Sequence, residues 1–357
     1  MSAAGAGTER QPSRLATMFP GYFALVMATG IVSIAAHLEG MELVSRVLFW
    51  ANVAFFLILW AATGARFLLH RDRLIADLTS HPRSVLFLTM VAGTGVLGSQ
   101  FAMLTPWSGV AVALWFLGMG LWVLLTSVFF TVATVREPKP PLEKGINGAW
   151  LLVVVSTESI SVLGSLVAPT FQVRDLAFFL ALCAYLVGAM LYILFIALIL
   201  YRWMFFPWTP DTLTPSYWIN MGALAITTLA GSRLILSQGE WSFLTEISPF
   251  LKGFTLLFWA AATWWIPLLV IAGIWKHGVE RVPLAYDPQY WSLVFPLGMF
   301  TASTFMLARA TGLDFLYLVP RLFVWISLAA WTITFIGMVR ELGRSIGANR
   351  RGALAAG

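Results

Sequence analysis

Short polar segments divide the chain into ten apolar runs, at about 17–38, 46–69, 83–104, 109–133, 148–168, 175–203, 216–237, 249–275, 288–309 and 318–340. A helix needs about 20 apolar residues to cross the ~30 Å hydrocarbon layer of a bilayer, so each run is long enough to span it. The composition agrees. Apolar residues make up 59% and charged residues 11% of the chain, with mean hydropathy +0.84. Soluble domains hold about 45–50% and about 25% respectively. Several tryptophans, among them Trp50, Trp107, Trp150, Trp203, Trp208 and Trp241, lie near the ends of runs, as interfacial belts require. The expected class is therefore an all-α integral membrane protein with ten transmembrane helices.

No connection is long enough to separate domains. The longest polar ones are 66–83, 136–145 and 276–288. Three segments are expected: a disordered cytoplasmic N-tail over 1–16, a ten-span domain over 17–340, and a basic cytoplasmic C-tail over 341–357. The first 14 residues lack a cleavable signal pattern, so the first run reads as a span in its own right.

Ten spans put both termini on one side. That side carries 16 of the 22 Lys and Arg, and the other side carries Arg46, Arg174, Arg233, Lys252, Arg309 and Arg321. The positive-inside bias predicts cytoplasmic termini in an inner (cell) membrane. The net charge of +6 thus reads as topology, not as a nucleic-acid surface. One cysteine and four scattered histidines offer no metal or haem ligand set, and no glycine pattern suits a nucleotide; no cofactor is expected.

Odd and even runs differ in kind. Odd runs carry small and hydroxyl residues at their centres: "MATGIVS", "VAGTGVLGS", "VSTESIS", "ITTLAGS" and "MFTAST". Even runs are bulky and aromatic, as in "VLFWANVAFFLILW". Aligning the odd runs on one threonine gives Thr29, Thr94, Thr157, Thr228 and Thr301, 63–73 residues apart. This is an internal repeat of one helical hairpin, five times over. Small residues also let membrane helices pack closely, which accounts for the glycines better than for recurring hydroxyls. The pattern predicts an inner ring of five helices around a pore, with a greasy outer ring. The pore lining would comprise Thr29, Gly30, Thr94, Gly95, Thr157, Glu158, Thr228 and Thr301.

The order of "FPG" (19–21), "VMATGIVS", "WLLVVVSTESISVLG" and "YWSLVFPLG" resembles the tellurite-resistance/dicarboxylate transporter family. That family includes TehA-like permeases, yeast malate permease, fungal sulfite efflux pumps and plant slow anion channels. The resemblance covers about Met18 to Arg340. It implies five hairpins around a pseudo-five-fold central pore, commonly as a homotrimer with one pore per subunit, and transport of small anions: C4-dicarboxylates such as malate, sulfite, tellurite or inorganic anions. It also implies a gate, a phenylalanine on the ninth span that plugs the pore. The matching residue is Phe295, followed by Pro296. Proline has no N–H, so the carbonyl of Ser292 loses its helical partner, and a kink there would widen the pore's middle.

Glu158 falls near the middle of the fifth span. A carboxylate at that depth costs roughly 2.5–3.5 kcal/mol on insertion scales and marks a function or a partner. It could bind a proton and couple it to transport, pair with Arg233, or make a helix–helix contact off the path. His37, Arg233 and Arg309 lie at the ends of odd spans, where they would attract anions to a mouth or snorkel to the interface. A membrane-embedded enzyme using Glu158 and Arg233 is the alternative function.

Overall fold

A computed structural model describes residues 13–355, with side chains to Arg344. It contains ten helices long and apolar enough to cross a membrane. We number them α1 (Pro20–Leu38), α2 (Glu42–Leu69), α3 (Ser84–Leu104), α4 (Ser108–Val135), α5 (Gly148–Thr170), α6 (Arg174–Phe205), α7 (Pro215–Leu236), α8 (Ser248–Val279), α9 (Pro288–Thr311) and α10 (Asp314–Arg344). Every boundary lies within four residues of its sequence expectation. Among the described residues there is no strand.

Two classes of helix emerge. The central windows of the odd helices are 83–94% buried, those of the even helices 17–44%. Small side chains permit the first group to pack on all sides. The second group turns aromatic and branched side chains to the lipid, such as Trp50, Ile58, Phe116 and Trp325. The odd helices follow one another around a closed cycle: α1 packs on α3, α3 on α5, α5 on α7, α7 on α9, and α9 on α1. Each odd helix opens with a 3-10 turn, and an even helix covers it from outside.

Polar contacts tie each outer helix to the inner helix of the next hairpin. Asn52 of α2 donates to Gln100 of α3 at 2.7 Å. Trp122 Nε1 of α4 donates to Thr157 Oγ1 of α5 at 2.8 Å. Tyr192 of α6 donates to the Asn220 carbonyl of α7 at 3.2 Å. Trp259 Nε1 of α8 donates to Thr304 Oγ1 of α9 at 3.0 Å. Trp331 Nε1 of α10 returns to Thr29 Oγ1 of α1 at 2.9 Å, a contact spanning 302 residues of sequence.

At the loop face where α1 begins and α10 ends, here the terminal face, basic residues at the ends of outer helices hold the chain entering their own hairpin. Arg66 donates to the Ala16 carbonyl, Arg202 to that of Glu143 and Lys276 to that of Leu213. Arg66 and Arg83 also converge on Asp77, at 2.6 and 2.8 Å. Residues 14–17 accordingly form a turn, so the expected disordered tail does not extend to residue 16; residues 1–12 lie outside the described residues. The expected C-tail from 341 is, through Ala355, a continuation of the last helix.

Interhelical hydrogen bonds in membranes contribute about 0.6 kcal/mol on average and up to about 1.7. Trp331→Phe, which keeps the ring and removes the donor, is expected to destabilise the protein by about 0.5–1.5 kcal/mol. A lower melting temperature in detergent would read this; an unchanged one would show that the α10–α1 tie contributes nothing.

Candidate functional site

A narrow enclosed cavity of about 20 Å³, enough for roughly one water, lies between the five inner helices. Its lining follows one helical register. Ile31, Ile34 and Leu38 come from α1, with Val96, Ser99 and Met103 from α3. Ser159, Val162 and Leu166 come from α5, with Ile226, Leu229 and Arg233 from α7. Met299 and Met306 complete the lining from α9. The spacing i, i+3, i+7 is the inward face of a helix. Superposing these positions gives stacked rings, one residue per helix. The last ring, farthest from the terminal face, is Leu38, Met103, Leu166, Arg233 and Met306.

The expected hydroxyl lining is not what the cavity presents. Thr29, Thr94 and Thr157 each stand two residues before the inward register, and Thr228 and Thr301 two residues after it. Two residues rotate a helix by about 200°, so these threonines face the outer ring. Thr29 and Thr157 accept the indole bonds described above, and Thr94 lies against Gly118 of α4. The Thr94, Thr228 and Thr301 hydroxyls donate to carbonyls one turn back in their own helices. The threonine alignment also slips by one turn in α7 and α9, where the inward register falls at Ile226 and Met299. Of the expected lining, Gly95 does face the cavity, against Ser159. Gly30 instead abuts Val96, Asn52 and Gln100.

Phe295 is fully buried, one turn before Met299 on the same face of α9. The same register at that level gives Met27, Ala92, Val155 and Gly222. Helix α9 runs through Pro296 without a break. The proline is the sixth residue of Trp291–Thr311, close to the helix start, and its ring packs on α7. There a Cβ on Gly222 would come within 2.6 Å of Pro296 Cγ.

Glu158 is buried in the seam between α5, α6 and α7, beside the cavity lining and not part of it. Its Oε1 accepts from Thr227 Oγ1 at 3.1 Å, its Oε2 has no hydrogen-bond partner, and its carboxyl rests against Gly188 of α6. One turn along α7, Tyr185 and Thr255 hydrogen-bond at 3.0 Å beside Gly231. The expected Glu158–Arg233 pair is absent among the described residues, since Arg233 faces the cavity and forms no ion pair. An enzyme built on those two groups therefore has no shared site. Arg309 is exposed and close enough to Arg233 to act on it electrostatically. His37 lies 2.9 Å from Glu42, which offsets a positive charge there.

Sequence reasoning missed the aliphatic and methionine lining and the indoles that donate to the threonines. The i, i+3, i+7 recurrence that starts at Ile31, Val96, Ser159 and Ile226 was the available signal, masked because most positions in these helices are apolar or small.

Five small-residue helices in a closed cycle around an axial cavity, each covered by an outer helix, define a polytopic membrane protein. Residues 17–339 match the voltage-dependent anion channel family, and the chain belongs to it. Its similarity to a transporter of Methanocaldococcus jannaschii named as uncharacterized is 26% identity over 89% of this chain and 91% of that protein. A membrane protein of Mycobacterium tuberculosis, also named as uncharacterized, is 40% identical over 47% of this chain and 84% of its own length. The sulfite efflux pump of Arthroderma benhamiae is 21% identical over 90% of both chains. The family and these names indicate anion transport across membranes, not enzymatic catalysis.

Gly188→Ala would place a methyl directly against the Glu158 carboxyl. Overpacking of this kind costs about 1–3 kcal/mol, and a lower melting temperature in detergent is the expected result. Combining it with Glu158→Ala should recover much of the loss; no recovery would show that the two side chains do not oppose each other.

Proposed function

We propose that this protein passes small anions across the cell membrane through the axis of its five inner helices, and that Phe295 closes the path. The carrying observation is the inward register itself: five helices each contribute one face to a single axial cavity, and Phe295, fully buried one turn before Met299, continues that register toward the terminal face. In this reading the hairpins are related by a pseudo-five-fold axis, consistent with the cyclic packing order. Assembly as a homotrimer with one pore per subunit is part of the same reading. So are cytoplasmic termini, supported by the 16 basic residues of 22 on that side.

The walls are mainly aliphatic, so an ion entering must shed water with little replacement. That favours weakly hydrated small anions. Nitrate and chloride fit this range, as does bisulfite, the singly charged form of the sulfite named for the fungal relatives. Malate, other C4-dicarboxylates and tellurite belong to the wider range implied by resemblance. Glu158 stands off the lining, which supports passive passage over a proton-coupled carrier.

Phe295→Ala is expected to raise anion flux into proteoliposomes by about tenfold or more, equivalent to removing about 1.4 kcal/mol or more of barrier. Phe295→Leu should have a smaller effect. A well-folded Phe295→Ala protein with unchanged flux would defeat the gating assignment.

A further inference from the structure

The last ring of the cavity holds four apolar side chains, Leu38, Met103, Leu166 and Met306, and one guanidinium, Arg233. Arg233 is therefore the one charged group among the residues lining the cavity. It does not snorkel away from the axis, because position 233 continues the inward register of Ile226 and Leu229. Its Nε is buried without a hydrogen-bond partner, and no acidic side chain pairs with it among the described residues. The neighbouring guanidinium of Arg309 adds positive potential instead of cancelling it. Nothing else in the lining can do the same work. The Ser99 and Ser159 hydroxyls already donate to the carbonyls of Gly95 and Ser156.

Resting on the pore reading above, we infer that Arg233 is the anion-binding site of the pore and makes it prefer oxyanions over halides. An anion leaving water for this cavity finds aliphatic walls and one fork of unused N–H donors. A guanidinium satisfies two oxygens of one anion at once, in a geometry that a spherical halide cannot use and that lysine cannot reproduce. The recognised class is thus a small anion with a paired-oxygen edge: nitrate, sulfite or bisulfite, or a short carboxylate. The site lies about 10 Å along the axis from the level of Ile226, seven residues at 1.5 Å each. It can therefore fill from the face opposite the termini while Phe295 keeps the other end shut.

Nitrate and bromide are both monovalent and similarly hydrated, so their difference reports geometry. The first experiment is titration of each into the purified full-length protein in detergent, followed by calorimetry. Wild type is expected to bind nitrate about tenfold more tightly than bromide, a difference of about 1.4 kcal/mol. Arg233→Lys should bring the ratio close to one while still binding both, and Arg233→Gln should weaken both. The second experiment measures nitrate and bromide permeation through Phe295→Ala and Phe295→Ala/Arg233→Lys in proteoliposomes, where the same loss of preference is expected. A nitrate-to-bromide ratio unaltered by Arg233→Lys in the titration overturns the inference. Absence of flux through Phe295→Ala would instead count against the gate alone, and the titration would still decide the role of Arg233.

Discussion

The bilayer removes the usual force that holds helices together, because lipid tails are as apolar as the side chains they would compete with. What remains is close packing and hydrogen bonding. This fold uses both in a fixed division. Small side chains let the five odd helices approach, and at least one polar contact per hairpin ties each even helix to the following odd helix. The last tie, from Trp331 to Thr29, joins the end of the chain to its beginning. A cycle closed in this way has no edge helix exposed on both flanks, so the axial cavity is bounded by protein on every side.

The same division explains the chemistry of the cavity. Hydroxyl groups inside a membrane need partners, and here the threonines find them outward, in indole N–H groups or in their own helix carbonyls. The inward faces are left mainly to Ile, Val, Leu and Met, with Ser99, Ser159 and Arg233 among them. Phe295 and Arg233 stand near opposite ends of one inward register, and Glu158 lies outside it. Its carboxyl occupies a niche left by Gly188, bonded to Thr227, and joins three helices of the two rings.

Much of the architecture was legible in the residues. Ten spans with boundaries good to four residues follow from run length alone, and the contrast between "VAGTGVLGS" and "VALWFLGMGLWVLL" separates inner from outer helices. The candidate site was less legible. Thr29, Thr94 and Thr157 revealed the repeat because they recur, yet recurrence does not tell which way a residue points. In an amphipathic helix, polarity marks the solvent side. In a helix that is small and apolar all round, a hydroxyl two positions from the cavity register looks like a hydroxyl on it.

The sequence by itself determined the number, length and order of the spans and the two kinds of helix. Crossing a hydrocarbon layer of set thickness requires runs of set length, and burial on all sides requires small side chains. Tertiary structure decided the rotation of each helix about its own axis. That angle comes from which neighbours it meets, through contacts such as Trp259 with Thr304 that lie 45 residues apart and Trp331 with Thr29 that lie 302 apart. It turned the threonines outward, kept Glu158 in a seam, and left Arg233 facing the axis with no ion-pair partner among the described residues.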